Sequence, residues 1–235
     1  MLRELLDLFR SNDAIAQMGA EFQHMMELAV DLTIDVGRYF FEAPPTPEER
    51  TAVSKRDVEL NKLERRIRKQ VITHLTVGED TARDAPYCLL LMSLVKDVER
   101  IGDYCKNIVE VHDEGGAPIP DDENGAELRE IRAEVEVFLS AAGDVFKTTD
   151  TEAAMDLMRR GREVNRRCDM LVSRVARSDY DAATTTTLVL GARYYKRIQS
   201  HLLNVVSGVI MPLHKLDYYD ERLLPGGEYH DDEDD

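Results

Sequence analysis

The sequence contains no tryptophan, and aromatic residues make up only 6% of its 235 residues. Strands favour aromatic and β-branched side chains, whereas this chain is rich in Ala, Leu, Met, Glu and Arg, which favour helices. It also lacks any apolar run of roughly eighteen residues, the length that a membrane-spanning helix needs. We therefore expect an all-α protein that does not insert into a membrane.

Cysteines and histidines are few, and none has the spacing of a metal or nucleophile motif. The three cysteines, Cys88, Cys105 and Cys168, fall in apolar helical patterns, which predicts reduced core residues of a cytoplasmic protein. The six histidines do not form the Glu-x-x-His motifs of di-iron bundles, and no glycine-rich phosphate loop occurs. These absences predict that the chain is not an enzyme. Residues 1–11 mix acids with apolar residues and predict a short helix, not a signal peptide.

Positive charge is scarce relative to negative charge, and the formal net charge is -16. Half of it lies in residues 217–235, where nine acids accompany Arg222 alone. Such a chain repels nucleic-acid phosphates, so no nucleic-acid partner is expected. Residues 222–235 combine Pro225-Gly226-Gly227 with an acidic run and are predicted to form a disordered tail.

What the sequence does contain is six long stretches with apolar residues at helical spacing. The first ends at Ala43-Pro44-Pro45, because proline cannot continue the helical hydrogen bonds. Thr46 and Pro47 then supply an N-cap and a first-turn proline for the second helix. The helices are predicted at about 13–41, 47–75, 84–112, 126–147, 151–178 and 182–216, with Pro212 kinking the last.

The second and third helices resemble the fifth and sixth. A shift of 104 places Asn61 on Asn165, and a shift of 97 places Asn107 on Asn204, with matching apolar positions around each pair. Ordered matches of this kind indicate a duplicated unit, and short connections imply antiparallel neighbours. The predicted fold is all-α, with two tandem antiparallel three-helix bundles, at 12–116 and 121–217, forming one body.

The third helix carries two carboxylates suited to a metal ion. At about 100° per residue, Glu99 and Asp103 project from one side, opposite the apolar stripe around Ile101. Two like charges four residues apart repel each other, and a bound divalent cation would relieve the repulsion. Asn107 follows one turn later. The same pattern is typical of a solvated helix face, and both interpretations stay open on spacing alone.

The second helix offers further oxygen ligands beside its own apolar stripe. Their spacing is equally typical of interhelical hydrogen bonds and salt bridges, which is the simpler interpretation. Together the candidate metal ligands are Glu99, Asp103, Asp57, Asn61, Glu64 and Asn107.

Residues 96–108, Lys-Asp-Val-Glu-Arg-Ile-Gly-Asp-Tyr-Cys-Lys-Asn-Ile, resemble the signature of the PhoU family. In that family a Leu/Val-Glu-Arg-Ile-Gly-Asp-His/Tyr-x-x-Asn-Ile stretch lies on the last helix of each repeat. The segment Leu60-Asn61-Lys62-Leu63-Glu64 and the duplicated plan are similar to that family as well. The resemblance extends from about residue 14 to residue 217 and is weaker in the second repeat.

The resemblance implies a cytoplasmic regulator, a negative one, of phosphate uptake and phosphate-starvation signalling. Such proteins contact a phosphate transporter component, of the ABC type or sodium-coupled, and a two-component sensor kinase, which would hold the chain at the inner face of the membrane. A homodimer is a further expectation, based on tyrosines such as Tyr194. The alternative from another class is a metal-dependent enzyme or a metal-storage helical bundle.

The resemblance also implies iron or another metal on a Glu/Asp-x-x-x-Asp motif in each repeat. In the first repeat the motif maps onto Glu99 and Asp103. In the second the matching positions are Lys196 and Ser200, and the charge of a protonated lysine opposes a nearby cation. A divalent or iron ion is therefore expected on the first repeat only.

Overall fold

The computed structural model describes residues 13–78 and 81–216, which form six long α-helices and no strand. The short helix predicted at 1–11 and the tail predicted at 222–235 lie outside the described residues. Two 3-10 turns flank the last helices of the repeats, at Ala82–Asp84 and Leu213–Lys215. The α-helices are α1 (Asp13–Phe41), α2 (Pro47–Val77), α3 (Ala85–Glu110), α4 (Glu123–Thr148), α5 (Thr151–Val175) and α6 (Ala182–Ile210).

Side-chain caps set where the helices begin. Thr46 accepts a hydrogen bond from the Glu49 backbone N–H at 3.2 Å, and the Glu49 carboxylate accepts one from the Thr46 N–H at 2.8 Å. This reciprocal pair is a complete capping box in front of Pro47. Asp122 caps α4 by accepting from the Gly125 N–H at 3.0 Å. That cap explains why α4 begins at Glu123 and not at residue 126, as the apolar pattern predicted.

The prediction that Pro212 kinks the last helix is wrong, because α6 ends before it. The final helical residue is Ile210, and Met211 is extended, with φ -94° and ψ 146°. A residue that precedes proline avoids the helical region, since the proline ring clashes with its backbone. The chain therefore leaves the helix at Met211.

The last helix of each repeat is central to the fold. α3 packs against α1, α2 and α6, while α6 packs against α4, α5 and α3, and α1 also packs against α4. One continuous apolar core runs through both bundles. The predicted fold class, two three-helix bundles forming one body, is confirmed. No helix within the described residues is both long and apolar enough to cross a membrane.

α3 and α6 meet through two reciprocal contacts. Asp97 on α3 lies 2.8 Å from Nδ1 of His201 on α6, and the rings of Tyr104 on α3 and Tyr194 on α6 have centroids 6.1 Å apart. The shift of 97 residues maps Asp97 onto Tyr194 and Tyr104 onto His201. Each contact is therefore the counterpart of the other. The two repeats are related by an approximate two-fold axis between α3 and α6, as in an isologous dimer.

Candidate functional site

α2 and α3 approach closely at Gly102. A Cβ at this position would lie 2.6 Å from Cδ1 of Leu60 and 3.7 Å from Oδ1 of Asp57, both on α2. The absence of a side chain thus lets α2 lie directly against α3. The close packing brings Asp57 next to Asp103, which follows Gly102 in the sequence.

Four carboxylates gather beside this contact, and we call them the acidic cluster: Asp57 and Glu64 on α2, Glu99 and Asp103 on α3. Asp57, Glu64 and Glu99 are largely buried, and Asp103 is half-buried. Burial raises the pKa of Glu99, and the negative charges of Asp103, Glu64 and Asp57 raise it further, whereas Arg100 lowers it. The fold therefore brings together four of the six candidate ligands.

The exposure of Glu99 differs from the sequence prediction. Helical phase placed Glu99 on the outward side of α3, yet only 16% of its side chain is exposed, because it faces α2. α3 is covered by three other helices, so the side opposite its apolar stripe is also partly enclosed. Glu110, which lies on the same side of α3 at eleven residues from Glu99, is exposed near the end of the helix.

Three cations lie against the acidic cluster. Lys106 Nζ is 3.1 Å from Asp57 Oδ2 and 3.8 Å from Asp103 Oδ1, so it bridges α2 and α3. Arg100 pairs with Asp103 at 2.9 Å, and Arg68 pairs with Glu64 at 2.9 Å. Sequence reasoning did not single out Lys106. Its position three residues after Asp103 was the available signal.

The two amides among the candidate ligands occupy the margin of the cluster. Asn61 is half-buried on α2 and lines a groove of about 260 Å³ with Val58, Glu64 and Arg65. Asn107 is half-buried on α3, one turn after Asp103. Asn61 thus shares a small open groove with Glu64 of the acidic cluster.

The chemistry of the acidic cluster suits a hard cation, but its arrangement includes competitors. Carboxylate oxygens are the ligands that hard divalent ions prefer. Among residues 13–78 and 81–216, no group of three or more His, Cys, Asp or Glu side chains converges as metal ligands do. Lys106 and Arg100 stand against Asp57 and Asp103, so a metal ion would have to displace them. Because Asp57 and Asp103 are already paired with cations, the alternative interpretation of the chain as a metal-dependent enzyme is weakened as well.

The corresponding place in the second repeat has a different chemistry. Lys196 and Ser200 on α6 stand where Glu99 and Asp103 stand on α3. Asn165 on α5, the counterpart of Asn61, donates to Ser200 Oγ at 3.1 Å. Lys196 pairs with Asp169 at 2.5 Å. No carboxylate occupies any position that matches the acidic cluster.

At the corresponding helix crossing of the second repeat, the glycine lies on the other helix of the pair. Gly161 on α5 replaces Asp57, and Gln199 on α6 replaces Gly102. A Cβ on Gly161 would lie 2.4 Å from Nε2 of Gln199, so the glutamine uses the space that the glycine leaves. Gln199 is fully buried, and within the described part of the chain neither polar atom of its amide has a hydrogen-bond partner. Such an arrangement costs stability.

All three cysteines are buried free thiols, as the apolar patterns predicted. Burial raises the pKa of Cys88 to about 11 and the pKa values of Cys105 and Cys168 to about 12. Thiols of this kind stay protonated and unreactive at neutral pH. They therefore offer no nucleophile.

Fold and site together define a class of protein: an all-α chain of two three-helix repeats with an acidic cluster between the last two helices of the first. Residues 15–111 match the family model described as the PhoU domain. The resemblance to the PhoU family that residues 96–108 carry is therefore confirmed over residues 15–111. No curated protein matches the sequence.

Two solved structures share the fold. One is PhoU from Pseudomonas aeruginosa, with a TM-score of 0.65 and 21% identity over 91% of this chain and 99% of that chain. The other is the phosphate transport system regulatory protein PhoU from Streptococcus pneumoniae, with a TM-score of 0.72 and 13% identity over 85% of this chain and 94% of that chain. At these identities the likeness establishes the architecture, which in both cases extends over both repeats.

Proposed function

We propose that this chain regulates phosphate uptake and phosphate-starvation signalling by contacting a phosphate transporter component and a two-component sensor kinase. The match of residues 15–111 to the PhoU domain carries the proposal. It is supported by the fold shared with a phosphate transport system regulatory protein. The unreactive thiols and the cation-paired carboxylates fit a protein that acts through its surfaces.

A deletion strain tests the regulatory role. Loss of the gene should change both the initial rate of phosphate uptake and the activity of a phosphate-responsive promoter, and a plasmid copy should restore both. Uptake and promoter activity should be compared between phosphate-starved and phosphate-replete cells. A regulator of the response should alter the difference between these two conditions. Unchanged uptake together with unchanged transcription in the deletion strain would contradict the proposal.

Affinity purification tests the proposed partners. The tagged full-length chain should retain a transporter component, of the ABC type or sodium-coupled, and a sensor kinase when membranes are solubilised from phosphate-replete cells. The same purification from starved cells gives the comparison. Recovery of neither class under either condition would count against partner contacts as the mechanism, while the identity of the transporter would decide between the two types.

We further propose that the acidic cluster binds one divalent or iron ion on the first repeat. The support is the grouping of Asp57, Glu64, Glu99 and Asp103, together with the loss of these carboxylates at the matching positions of the second repeat. Elemental analysis of the purified protein should find no more than one ion per chain. The Glu99→Ala/Asp103→Ala variant should lose it, whereas Glu110→Ala, on the exposed end of the same helix, should keep it. Equal trace metal in all three proteins would remove this proposal.

A further inference from the structure

A groove of about 790 Å³ lies along α5 and α6, and we call it the basic groove. Asn165 and Ser200 line its floor, where the first repeat has Asn61 and Asp103. Five cations line the groove against three carboxylates, an excess of two positive charges in a chain whose formal net charge is -16. The cations are Arg159, Arg160, Arg162, Arg166 and Lys196, and the carboxylates are Glu134, Glu163 and Asp169.

The basic groove occupies the position that the acidic cluster and its small opening occupy in the first repeat. Lys196 replaces Glu99, and the charge at that position is reversed. Arg162 replaces Val58, which lines the groove of about 260 Å³ beside Asn61. The duplicated framework is therefore retained, but the four carboxylates at this place have been exchanged for a lining with an excess of positive charge.

The donors of the basic groove are held by carboxylates that an incoming anion can replace. Arg166 directs Nε and Nη2 onto the two oxygens of Glu163, at 2.8 and 2.5 Å, and both side chains are more than half exposed. Lys196 pairs with Asp169, which is 51% exposed. Exposed ion pairs contribute little to stability. Exchanging Glu163 or Asp169 for a ligand oxyanion therefore costs the fold little.

The geometry of these donors suits an oxyanion with several oxygens. The guanidinium fork of Arg166 already makes the two-pronged contact by which arginine recognises carboxylate and phosphate groups. Lys196 adds a point charge from α6. The amide of Asn165 and the hydroxyl of Ser200 place neutral hydrogen-bonding groups between the two helices.

We propose that the basic groove is a binding site for a phosphate-class oxyanion, either free inorganic phosphate or the phosphate of a monoester. Arg166 and Lys196 hold its charge from α5 and α6, and Asn165 and Ser200 contact it from the floor. This site is separate from the acidic cluster, and its existence does not depend on the regulatory role proposed above. Binding is measured on the purified protein, so its failure is distinguishable from a failure of the uptake experiment.

Isothermal titration calorimetry of the full-length protein with inorganic phosphate, at low ionic strength, tests the site. The wild type should show saturable binding that weakens as salt is added. The Arg166→Gln/Lys196→Gln variant should bind about tenfold or more weakly, since two charge-assisted contacts are lost. Arg159→Gln/Arg160→Gln, at the rim of the groove, is a second variant that should weaken binding in the same direction.

The matched control is Lys62→Gln/Lys69→Gln, which removes the same charge from exposed positions of α2 in the first repeat. It should change the affinity for phosphate by no more than about twofold. A parallel titration with O-phosphoserine identifies the source of the oxyanion, because tighter binding of one of the two ligands assigns the site to it. No saturable binding of either ligand, or equal affinities in the wild type and both groove variants, would overturn the proposal.

Discussion

Lys106 Nζ lies 3.1 Å from Oδ2 of Asp57 and spans the space between α2 and α3. It therefore lies against both Asp57 and Asp103, where it would compete with a metal ion for these carboxylates. The pKa of Lys106 is raised because the hydrogen bond to Asp57 and the nearby acids favour its charged form over the opposing effect of burial. The ammonium group thus neutralises part of the negative charge of the acidic cluster.

Replacing Lys106 by methionine should increase the affinity of the acidic cluster for a divalent cation. The substitution removes the competing charge and keeps most of the apolar volume. A gain of about tenfold in affinity, measured by titration of the metal-free protein with Mn²⁺ or Zn²⁺, is the expected result. Lys62→Met, on the exposed side of α2, is the control. An unchanged affinity in Lys106→Met would show that the metal ion and Lys106 do not compete for the acidic cluster.

Replacing Glu99 by glutamine should stabilise the metal-free protein at neutral pH. Burial raises the folded-state pKa of Glu99 above its unfolded value. This group therefore favours folding most below its unfolded pKa, and the favourable contribution is lost as the pH rises through the folded pKa. Glutamine removes the charge, and a gain on the order of 0.5–1 kcal/mol is expected at pH 7.

The advantage of Glu99→Gln should shrink as the pH falls, since Glu99 itself becomes neutral. Urea unfolding of the wild type and the variant, at pH 7 and again near the unfolded pKa of about 4.3, measures the difference at each pH. Glu110→Gln, which is exposed on the same helix, should show little change at either pH. A stabilisation of Glu99→Gln that grew on acidification would contradict the assigned direction of the pKa shift.

Replacing Gln199 by methionine should stabilise the protein by about 1–2 kcal/mol. The side chain keeps its length, while two buried polar atoms without partners in the described structure are removed. Thermal or urea unfolding measures the effect. The comparison is Gln17→Met on the exposed side of α1, for which a change within about 0.5 kcal/mol is expected. A loss of stability in Gln199→Met would indicate that the amide is satisfied in solution, for instance by an internal water.

A matched pair of glycine substitutions tests the packing of α5 on α6. Gly161→Ala places a Cβ 2.4 Å from Nε2 of Gln199 and 2.7 Å from Cδ2 of Leu203, and should destabilise the protein by about 1–3 kcal/mol. Gly143→Ala, in α4, meets nothing nearer than 3.5 Å. It should stabilise by roughly 0.5–1 kcal/mol through helix propensity alone. The changes in unfolding free energy relative to the wild type should therefore have opposite signs in the two variants. Changes of the same sign would contradict the close packing at Gly161.

Much of the fold was predictable because helix boundaries depend on local chemistry. Thr46 and Pro47 indicated the start of α2, and the two ordered shifts indicated the duplicated repeat. The errors occurred where one local signal competed with another. Pro212 is compatible with either a kink in the last helix or its end. The extended backbone of Met211 shows that the helix ends there.

Less of the site was predictable, because helical phase fixes a direction but not the neighbour that a side chain meets. Glu99 projects away from the apolar stripe as predicted, yet α2 lies in that direction. The cation that bridges the cluster, Lys106, has a partner 49 residues away in sequence. In the second repeat, sequence comparison revealed the loss of ligands at Lys196 and Ser200. The gain of a groove required α5 to bring Arg162 and Arg166 beside them.

The two-fold relationship between the repeats has a consequence for how these sites diverged. Had the Asp97–His201 and Tyr104–Tyr194 contacts joined two separate copies of one repeat, each substitution would have appeared on both sides of the axis at once. The position equivalent to Glu99 would then also have held a glutamate, never a lysine. Fusion into a single polypeptide freed each half to change alone, so one framework now offers opposite charges at equivalent positions. The chain is, in effect, a heterodimer whose subunits cannot dissociate.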